Sequence, residues 1–216
     1  MTQRASPAPT LAFELALWAA GATRVAGVDE VGIGPLAGPV VAAACVVSPR
    51  CTPIPEVRDS KLLSPSVRAS LALEVAAQAT AIGIGAASVS EIEQLNVLRA
   101  SRVAMRRALA RLGEHDHALI DGRDFRAPWL GAHTAVVRGD GSCYSIACAS
   151  IIAKVTRDRL MAKLAARHPE YGWERNAGYP TRAHLAAIRE HGVTPYHRRT
   201  YRPVMLALAG LLPEPR

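Results

Sequence analysis

The chain has 216 residues, with 26 Lys or Arg against 18 Asp or Glu, and therefore carries a net charge of +8. Half of the residues are hydrophobic and a fifth are charged, which is typical of a globular domain and excludes a disordered or fibrous chain. The sequence has no run of about 18 uncharged apolar residues, which excludes a transmembrane helix. The positive charge indicates a polyanionic partner, although membrane-surface binding and simple solubility also produce such a charge.

The positive charge is concentrated in the second half of the chain. Residues 109–216 carry 16 basic and 10 acidic residues, and the segment 154–202 alone holds 11 basic residues against four acids. Arginine accounts for 23 of the 26 basic residues, and its planar guanidinium binds phosphate through two parallel hydrogen bonds. Segment 154–202 is therefore a candidate phosphate-binding surface, although arginine richness also reflects genome base composition.

The four cysteines form no Cys-x-x-Cys pair and have no zinc spacing with histidine. Cys45 and Cys148 lie in small apolar runs, which predicts buried thiols and a reducing compartment, so we expect a cytoplasmic protein. The apolar stretch that follows Arg4 is interrupted by Glu14. This favours a helix before the first strand over a signal peptide.

Two apolar strands flank a Gly/Pro-rich turn, and the first strand ends in the carboxylates Asp29 and Glu30. Ser64-Pro65 predicts an N-cap with proline at the first helical position, and the helix that it opens extends to about Gln78. The elements predicted in the first 88 residues are strands at 24–30, 40–47 and 81–88 and the helix at 65–78.

Beyond residue 88 the pattern is mostly helical. Ser90, with Glu93 three residues later, predicts a capping box that opens a helical region ending at Gly113. Thr181 predicts the N-cap of a helix that ends at Gly192. The remaining predicted elements are strands at 117–120 and 134–137 and helices at 145–166 and 203–211. This order predicts an α/β fold, a mixed sheet flanked by helices with a C-terminal helical extension.

Acidic side chains follow three of the predicted strands. We refer to them as the four carboxylates: Asp29, Glu30, Asp121 and Asp140. Ligands bind at strand ends in folds of this kind, and four converging carboxylates repel one another unless cations neutralise them. Oxygen ligands without Cys or His suit Mg²⁺ or Mn²⁺, and two such ions about 4 Å apart promote phosphodiester cleavage. The pattern thus predicts a divalent metal centre in a phosphodiesterase.

The carboxylates also have purely structural interpretations. Asp121-Gly122 and Asp140-Gly141 are ordinary turn dipeptides, and strand alternation sends Asp29 and Glu30 to opposite faces of a sheet. Both can serve one site only if the strand ends or bulges there, or if Glu30 contributes through its backbone carbonyl.

The turn after Glu30 contains Gly32-Ile33-Gly34, which we call the glycine loop. Residues 32–37 of this turn match the dinucleotide fingerprint G-x-G-x-x-A. That fingerprint opens a helix whose N-terminus faces pyrophosphate, whereas Gly38-Pro39 and a Val-rich strand follow here. We therefore expect no nicotinamide, flavin or other small organic cofactor. A glycine loop whose backbone approaches a sugar–phosphate chain is the favoured interpretation.

Ordered motifs over residues 24–204 resemble those of the ribonuclease HII family. They are Ala-Gly-Val-Asp-Glu-Val-Gly from Ala26, Gly-Pro-Leu-Ala-Gly-Pro-Val-Val from Gly34, Asp-Ser-Lys from Asp59, Leu-Ile-Asp-Gly from Leu119, Val-Arg-Gly-Asp from Val137, Ala-Ser-Ile-Ile-Ala-Lys-Val-Thr-Arg-Asp from Ala149, Gly-Tyr-Pro-Thr from Gly178 and His-Arg-Arg from His197. The resemblance implies a single RNase H-like catalytic domain over residues 24–216, preceded by an N-terminal extension over residues 1–23.

The resemblance also implies an activity: endonucleolytic cutting of RNA in RNA–DNA hybrids and at ribonucleotides embedded in duplex DNA, with Mn²⁺ or Mg²⁺ as cofactor and no membrane partner. By position, the four carboxylates correspond to the catalytic, metal-binding acids of the family. The glycine loop corresponds to an element that contacts the ribose 2′-hydroxyl, and Tyr179 to a tyrosine that stacks on the junction sugar. Residues near the substrate phosphates correspond to Lys61, Ser150 and Lys154.

The sequence departs from the family pattern at three positions where a cation is common. These positions carry Ile33, Leu62 and Ala177. Ile33 and Ala177 support an alternative from another class, a basic nucleic-acid-binding protein without catalysis, and the complete set of carboxylates argues against it.

Overall fold

The computed structural model describes residues 8–58 and 60–213, so Asp59 of the Asp-Ser-Lys motif and residues 1–7 of the expected extension lie outside the described residues. Five strands form one mixed sheet in the order β3–β2–β1–β4–β5. The first three pair antiparallel, and β4 and β5 continue the sheet parallel to β1. Their bounds are β1 Val25–Val31, β2 Val40–Val46, β3 Ala81–Ala87, β4 His117–Asp121 and β5 His133–Val136.

Helices cover both faces of this sheet. Their bounds are α1 Ala12–Ala19, α2 Pro65–Gln78, α3 Val89–Leu95, α4 Val97–Leu112, α5 Tyr144–Ala165, α6 Trp173–Asn176, α7 Arg182–His191 and α8 Arg202–Leu208. Helix α4 packs on one face and α5, with α2, on the other. Three short 3₁₀ turns complete the order, at Ser60–Leu62, Gly139–Gly141 and Pro169–Tyr171. The structure is thus the α/β fold that the sequence predicts, with helices at the C-terminus.

Glycines allow the two long helices to approach the sheet closely. A Cβ atom at Gly27 of β1 would lie 2.1 Å from the backbone carbon of Ser145 in α5, and one at Gly85 of β3 would lie 2.1 Å from the carbonyl oxygen of Ala104 in α4. Real Cβ atoms do not approach backbone so closely, so any side chain here would force the layers apart.

Helix α1 is attached to the same body through a buried acid. The side chain of Glu14 is fully buried, and its Oε1 atom accepts hydrogen bonds from the backbone N–H of Ser145 (2.7 Å) and the thiol of Cys143 (3.1 Å). The carboxylate therefore satisfies a free N–H group at the start of α5. No helix in residues 8–58 and 60–213 combines the length and the hydropathy that membrane crossing requires.

The predicted capping box at Ser90 and Glu93 is wrong. The N-cap of α3 is Ser88, whose side chain accepts from the backbone of Glu91 while the Glu91 carboxylate accepts from the backbone of Ser88. The predicted single helical region is also divided at Asn96, which has a φ of 66° and caps α4 through its side chain. With its ψ of 162° this backbone is unfavourable for a residue with a side chain, but the side chain offers a capping oxygen, so one residue ends α3 and begins α4.

Candidate active site

The ends of neighbouring strands bring the four carboxylates together. Asp29 and Glu30 lie near the end of β1, Asp121 ends β4, and Asp140 lies in the 3₁₀ turn that follows β5. Because β1, β4 and β5 are parallel neighbours, their carboxyl ends meet at one edge of the sheet. Burial at this edge is deep, since only 5% of Asp29 and 7% of Asp140 is exposed.

Asp29 and Glu30 leave opposite faces of β1, as strand alternation requires. The strand has no bulge here, because Asp29 pairs with Ala43 and Glu30 with Ala42 in continuous register. Asp29 faces α5, where the Ser150 hydroxyl lowers its pKa, whereas Glu30 borders a cavity under α4. Both carboxylates nevertheless feel the charges of Asp121 and Asp140, because β1 ends one residue later.

The crowded carboxylates have raised pKa values. Burial, followed by the charges of Glu30 and Asp121, raises the pKa of Asp29 well above its usual range. Burial and then the charge of Asp121 raise the pKa of Glu30 to about 7. The pKa of Asp121 is also raised, by burial and by Asp140. Such a group of acids favours a state in which positive charge is added to it.

Individual oxygen atoms show what kind of group fits this site. The Glu30 Oε2 atom is buried and has no hydrogen-bond partner in the described part of the chain, which is costly unless another ligand meets it. Asp121 Oδ1 accepts from the backbone N–H of Gly139 at 2.7 Å, and the Lys61 ammonium lies 3.0 Å from Asp140 Oδ2. Carboxylate oxygens around an unsatisfied buried oxygen fit a hard divalent cation such as Mg²⁺ or Mn²⁺.

The described side chains are not arranged as a complete set of metal ligands. Among residues 8–58 and 60–213, no three His, Cys, Asp or Glu side chains already converge in a metal-binding arrangement. Lys61 meanwhile contributes positive charge, which lowers the pKa values of Glu30 and Asp121. The residues thus fit a cation by donor chemistry and charge, and side-chain adjustment would complete its coordination.

Two buried arginines hold the glycine loop and the turn after it. Arg198 donates to the carbonyl oxygens of Gly32 (2.6 Å), Ile33 (3.0 Å) and Gly38 (2.9 Å). Arg157 donates to three further carbonyls, those of Ala37, Pro39 and Ala177. Both arginines are fully buried, and neither forms an ion pair with a described residue. Their guanidinium groups replace the hydrogen bonds that a loop of this shape cannot form within itself.

Sequence reasoning missed the role of these two arginines. Arg157 and Arg198 both occur within the ordered motifs, but the high charge of segment 154–202 suggested only surface contacts with phosphate. One available signal was helical spacing, because Arg157 lies four residues from both Ala153 and Met161 and so shares their apolar helix face, where a charged side chain needs a buried acceptor.

Ile33 and Tyr179 occupy different sides of the glycine loop. The Ile33 side chain packs against the core under α4, so the residue that replaces the common arginine contributes to packing. The Tyr179 ring is 40% exposed and lies 3.5 Å from where a Cβ atom of Gly34 would be. A substrate can therefore reach the tyrosine ring and the glycine backbone together.

A buried histidine holds the backbone of Tyr179. The indole N–H of Trp173 donates to His184 Nε2 (3.0 Å), which assigns the proton of that histidine to Nδ1. Nδ1 then donates to the carbonyl oxygen of Tyr179 at 2.9 Å. His197, 3.1 Å from His184 Nε2, accepts at Nδ1 from the backbone N–H of Thr194. Both histidines are thus neutral, in agreement with their lowered pKa values, which burial causes.

The predicted phosphate-binding residues have different surroundings. Ser150 is buried beside Asp29, with its hydroxyl 3.0 Å from that of Ser60. The Lys154 ammonium forms an ion pair with Asp158 at 2.6 Å, and Asp158 also pairs with Arg68. The structure therefore brings Lys61 and Ser150 to the four carboxylates, while Lys154 lies one helical turn further along α5 in a charge network.

A mixed α/β sheet with four carboxylates at its parallel strand ends defines a metal-dependent phosphodiester hydrolase of the RNase H-like fold. The family model described as Ribonuclease HII matches residues 26–204. The ribonuclease HII of Thermosynechococcus vestitus is 54% identical over 95% of this chain and 93% of its own length. That of Magnetococcus marinus is 49% identical over 94% of this chain and 97% of its own. The chain belongs to the ribonuclease HII family and is a ribonuclease H.

Solved structures agree with this fold. The crystal structure of ribonuclease H2 from Pyrococcus horikoshii matches with a TM-score of 0.71 and 26% identity, covering 87% of this chain and 98% of that one. A ribonuclease HIII (Bst-RNase HIII) solved in complex with Mn²⁺ matches with a TM-score of 0.67 and 18% identity, covering 98% of this chain and 76% of that one. At that identity the second likeness shows the fold alone.

Proposed function

We propose that the protein cuts the phosphodiester bond on the 5′ side of a ribonucleotide, in RNA–DNA hybrids and at ribonucleotides embedded in duplex DNA. The products would carry a 3′-hydroxyl and a 5′-phosphate. The observation that carries this proposal is the buried Glu30 Oε2 atom without a partner, set among acids with raised pKa values. Such an arrangement is costly for the protein alone and becomes favourable when it binds cations.

Asp29, Asp121 and Asp140 would hold the ions from three strand ends, with Glu30 completing the set from the α4 side. Bound Mg²⁺ or Mn²⁺ would lower the pKa of the attacking water and offset negative charge on the leaving oxygen. The buried hydroxyl of Ser150 would favour the charged, cation-binding form of Asp29, because it lowers the pKa of that carboxyl. Lys61, already beside Asp140, is placed to hold charge at the same edge.

Selection of the ribonucleotide would depend on the glycine loop and Tyr179. The 2′-hydroxyl is the group that separates RNA from DNA, and an exposed ring beside an accessible glycine backbone offers a sugar both a flat face and hydrogen-bonding groups. Arg198 supports this role because it fixes the carbonyls of Gly32 and Ile33. The free cysteines support our proposal that the protein works in the reducing cytoplasm.

The test uses a DNA duplex with a single ribonucleotide and either Mg²⁺ or Mn²⁺. Asp29→Asn should abolish cleavage while leaving duplex affinity in metal-free buffer within about threefold, because it removes a metal ligand and no phosphate contact. Glu190→Gln, which changes an exposed carboxylate of α7, is the matched control and should cleave at the wild-type rate. Full activity of Asp29→Asn would contradict the assignment.

The second candidate function, a nucleic-acid-binding protein without catalysis, rests on Ile33 and Ala177 alone. If the wild-type protein bound the same duplex but cut it with neither metal, the result would favour this second function. Ile33→Arg should then be tested as well. On the proposed function it should bind duplex more tightly, with a steeper salt dependence by about one unit of slope.

A further inference from the structure

A cavity of about 280 Å³ opens on the α4 side of the four carboxylates. Glu30 and Asp121 form one part of its wall, and residues of α4 and of the loop after β4 form the rest. None of Gly32, Ile33, Gly34 and Tyr179 contributes to this lining. The carboxylates therefore separate two regions of the surface, the glycine loop with its tyrosine and this cavity.

The cavity contains an arginine that is oriented but not neutralised. The guanidinium carbon of Arg102 lies 4.4 Å from the ring centroid of Phe125, a cation–π contact. Within the described residues Arg102 has no carboxylate within 4 Å, whereas Arg107 in the same helix is held by both oxygens of Glu91. A guanidinium stacked on a ring keeps the N–H groups at its edge available for an oxygen ligand such as phosphate.

The charges of the cavity identify the ligand as part of a longer chain. Its lining holds three acids, Glu30, Asp121 and Asp124, together with two arginines, Arg102 and Arg123. Asp124 is already paired with His133 at 3.0 Å. A small free anion would meet repulsion from the carboxylates. A nucleic-acid strand is held by many phosphate contacts at once, so it can place one phosphate on Arg102 despite that repulsion, with or without cations at the carboxylates.

We propose that this cavity binds the nucleotide on the 5′ side of the scissile bond, with its phosphate on Arg102 and its sugar against Phe125. The proposal rests on the proposed function, because the four carboxylates define where the scissile phosphate lies. The glycine loop and Tyr179 then hold the ribonucleotide on the 3′ side, and the strand continues past the carboxylates into the cavity. Arg102 is thus a strand-positioning residue outside the metal centre.

The test compares Arg102→Gln with Arg106→Gln, its matched control. Arg106 lies one turn further along α4, is exposed, and does not line the cavity. Affinity is measured by fluorescence anisotropy in EDTA, over a series of salt concentrations, for a duplex with one internal ribonucleotide. Arg102→Gln should weaken binding about tenfold and reduce the slope of log K against log salt by about one unit, while Arg106→Gln should change neither.

A second duplex isolates the position of the contact. Its cut strand begins at the ribonucleotide, with a 5′-phosphate and nothing upstream, so the cavity has no nucleotide to bind. Arg102→Gln should bind this duplex as wild type does. The proposal is overturned if Arg102→Gln binds the internal duplex normally, or if it loses affinity equally for both duplexes.

Phe125→Leu gives an independent readout, because it keeps an apolar side chain but removes the ring face. It should weaken binding of the internal duplex about threefold and leave binding of the truncated duplex unchanged; equal loss on both duplexes would contradict the proposal. Since these measurements need no metal, a wild-type protein that binds as described but does not cut would refute the proposed cleavage, while the contact of Arg102 with the nucleotide upstream of the ribonucleotide would still be supported.

Discussion

The buried carboxylate of Glu30 should make the metal-free protein less stable as the pH rises, and Glu30→Gln should remove that loss. Burial and the charge of Asp121 raise the pKa of Glu30 from 4.5 to about 7. A group whose pKa is raised by folding leaves stability intact below its unfolded value, and stability is lost as the pH rises through its folded value. The free energy of unfolding of the metal-free protein should therefore fall between pH 4.5 and pH 7.

The size of the effect follows from the shift in pKa. Each unit corresponds to about 1.4 kcal/mol of differential stability, so the shift of Glu30 from 4.5 to about 7 corresponds to roughly 3 to 4 kcal/mol. The free energy of unfolding of Glu30→Gln, minus that of wild type, should therefore rise by about this amount between pH 4.5 and pH 8. The amide retains the shape of the side chain but carries no charge at either pH.

The assay is urea unfolding in EDTA at several pH values, followed by circular dichroism. Glu190→Gln, on an exposed carboxylate, is the control and should differ from wild type by less than about 0.5 kcal/mol throughout. If the difference between Glu30→Gln and wild type did not change with pH, Glu30 would not be a buried, uncompensated carboxylate. Its unpartnered oxygen would then give no reason to expect cation binding.

Three further predictions concern the support around the site. Burial and the neighbouring His184 lower the pKa of His197 to about 3. The free energy of unfolding should therefore fall as the pH drops from 6.5 towards 3, by at most about 1.4 kcal/mol per pH unit. Thermal unfolding of His197→Gln should show a shallower acid dependence than that of wild type. Arg198→Lys cannot reproduce the two parallel hydrogen bonds of the guanidinium, so kcat/KM on a duplex with a single ribonucleotide should fall about tenfold or more. Duplex affinity should change less than threefold. Equal losses of kcat/KM and of affinity would show that Arg198 acts only through folding. Gly27→Ala places a Cβ atom 2.1 Å from a backbone carbon of Ser145 and should lower the free energy of unfolding by about 3 kcal/mol or more, and wild-type stability in urea would contradict that close contact.

The local signals in the sequence were largely sufficient for the secondary structure. Ser64 with Pro65 and Thr181 with Gly192 mark the observed helix ends, because caps and turn residues act through the backbone within four residues. The helical region after Ser88 was harder, since two serines two residues apart each precede a glutamate at capping distance. The structure shows that Ser88 is the cap and that Asn96 divides the region, and the local pattern decides neither.

The candidate site could be predicted as far as its carboxylates. Strand ends carrying Asp29, Glu30, Asp121 and Asp140 are visible in the pattern because strand periodicity and turn glycines locate each end. Hard oxygen donors favour divalent cations, so metal binding by these acids stays a prediction. The pairing of β1 with β4 and of β4 with β5 is what makes these acids neighbours.

Tertiary structure alone decided what surrounds the carboxylates. The sequence determined the elements, the strand-end acids and the excess of positive charge, because these depend on residues close together in the chain. It did not determine that Arg198 is buried under Gly32, that Lys154 pairs with Asp158, or that Arg102 stacks on Phe125 beside Glu30. An exposed arginine and a buried one have the same local sequence signals. What separates them is which carbonyls, rings and carboxylates the packed layers bring within reach of each guanidinium.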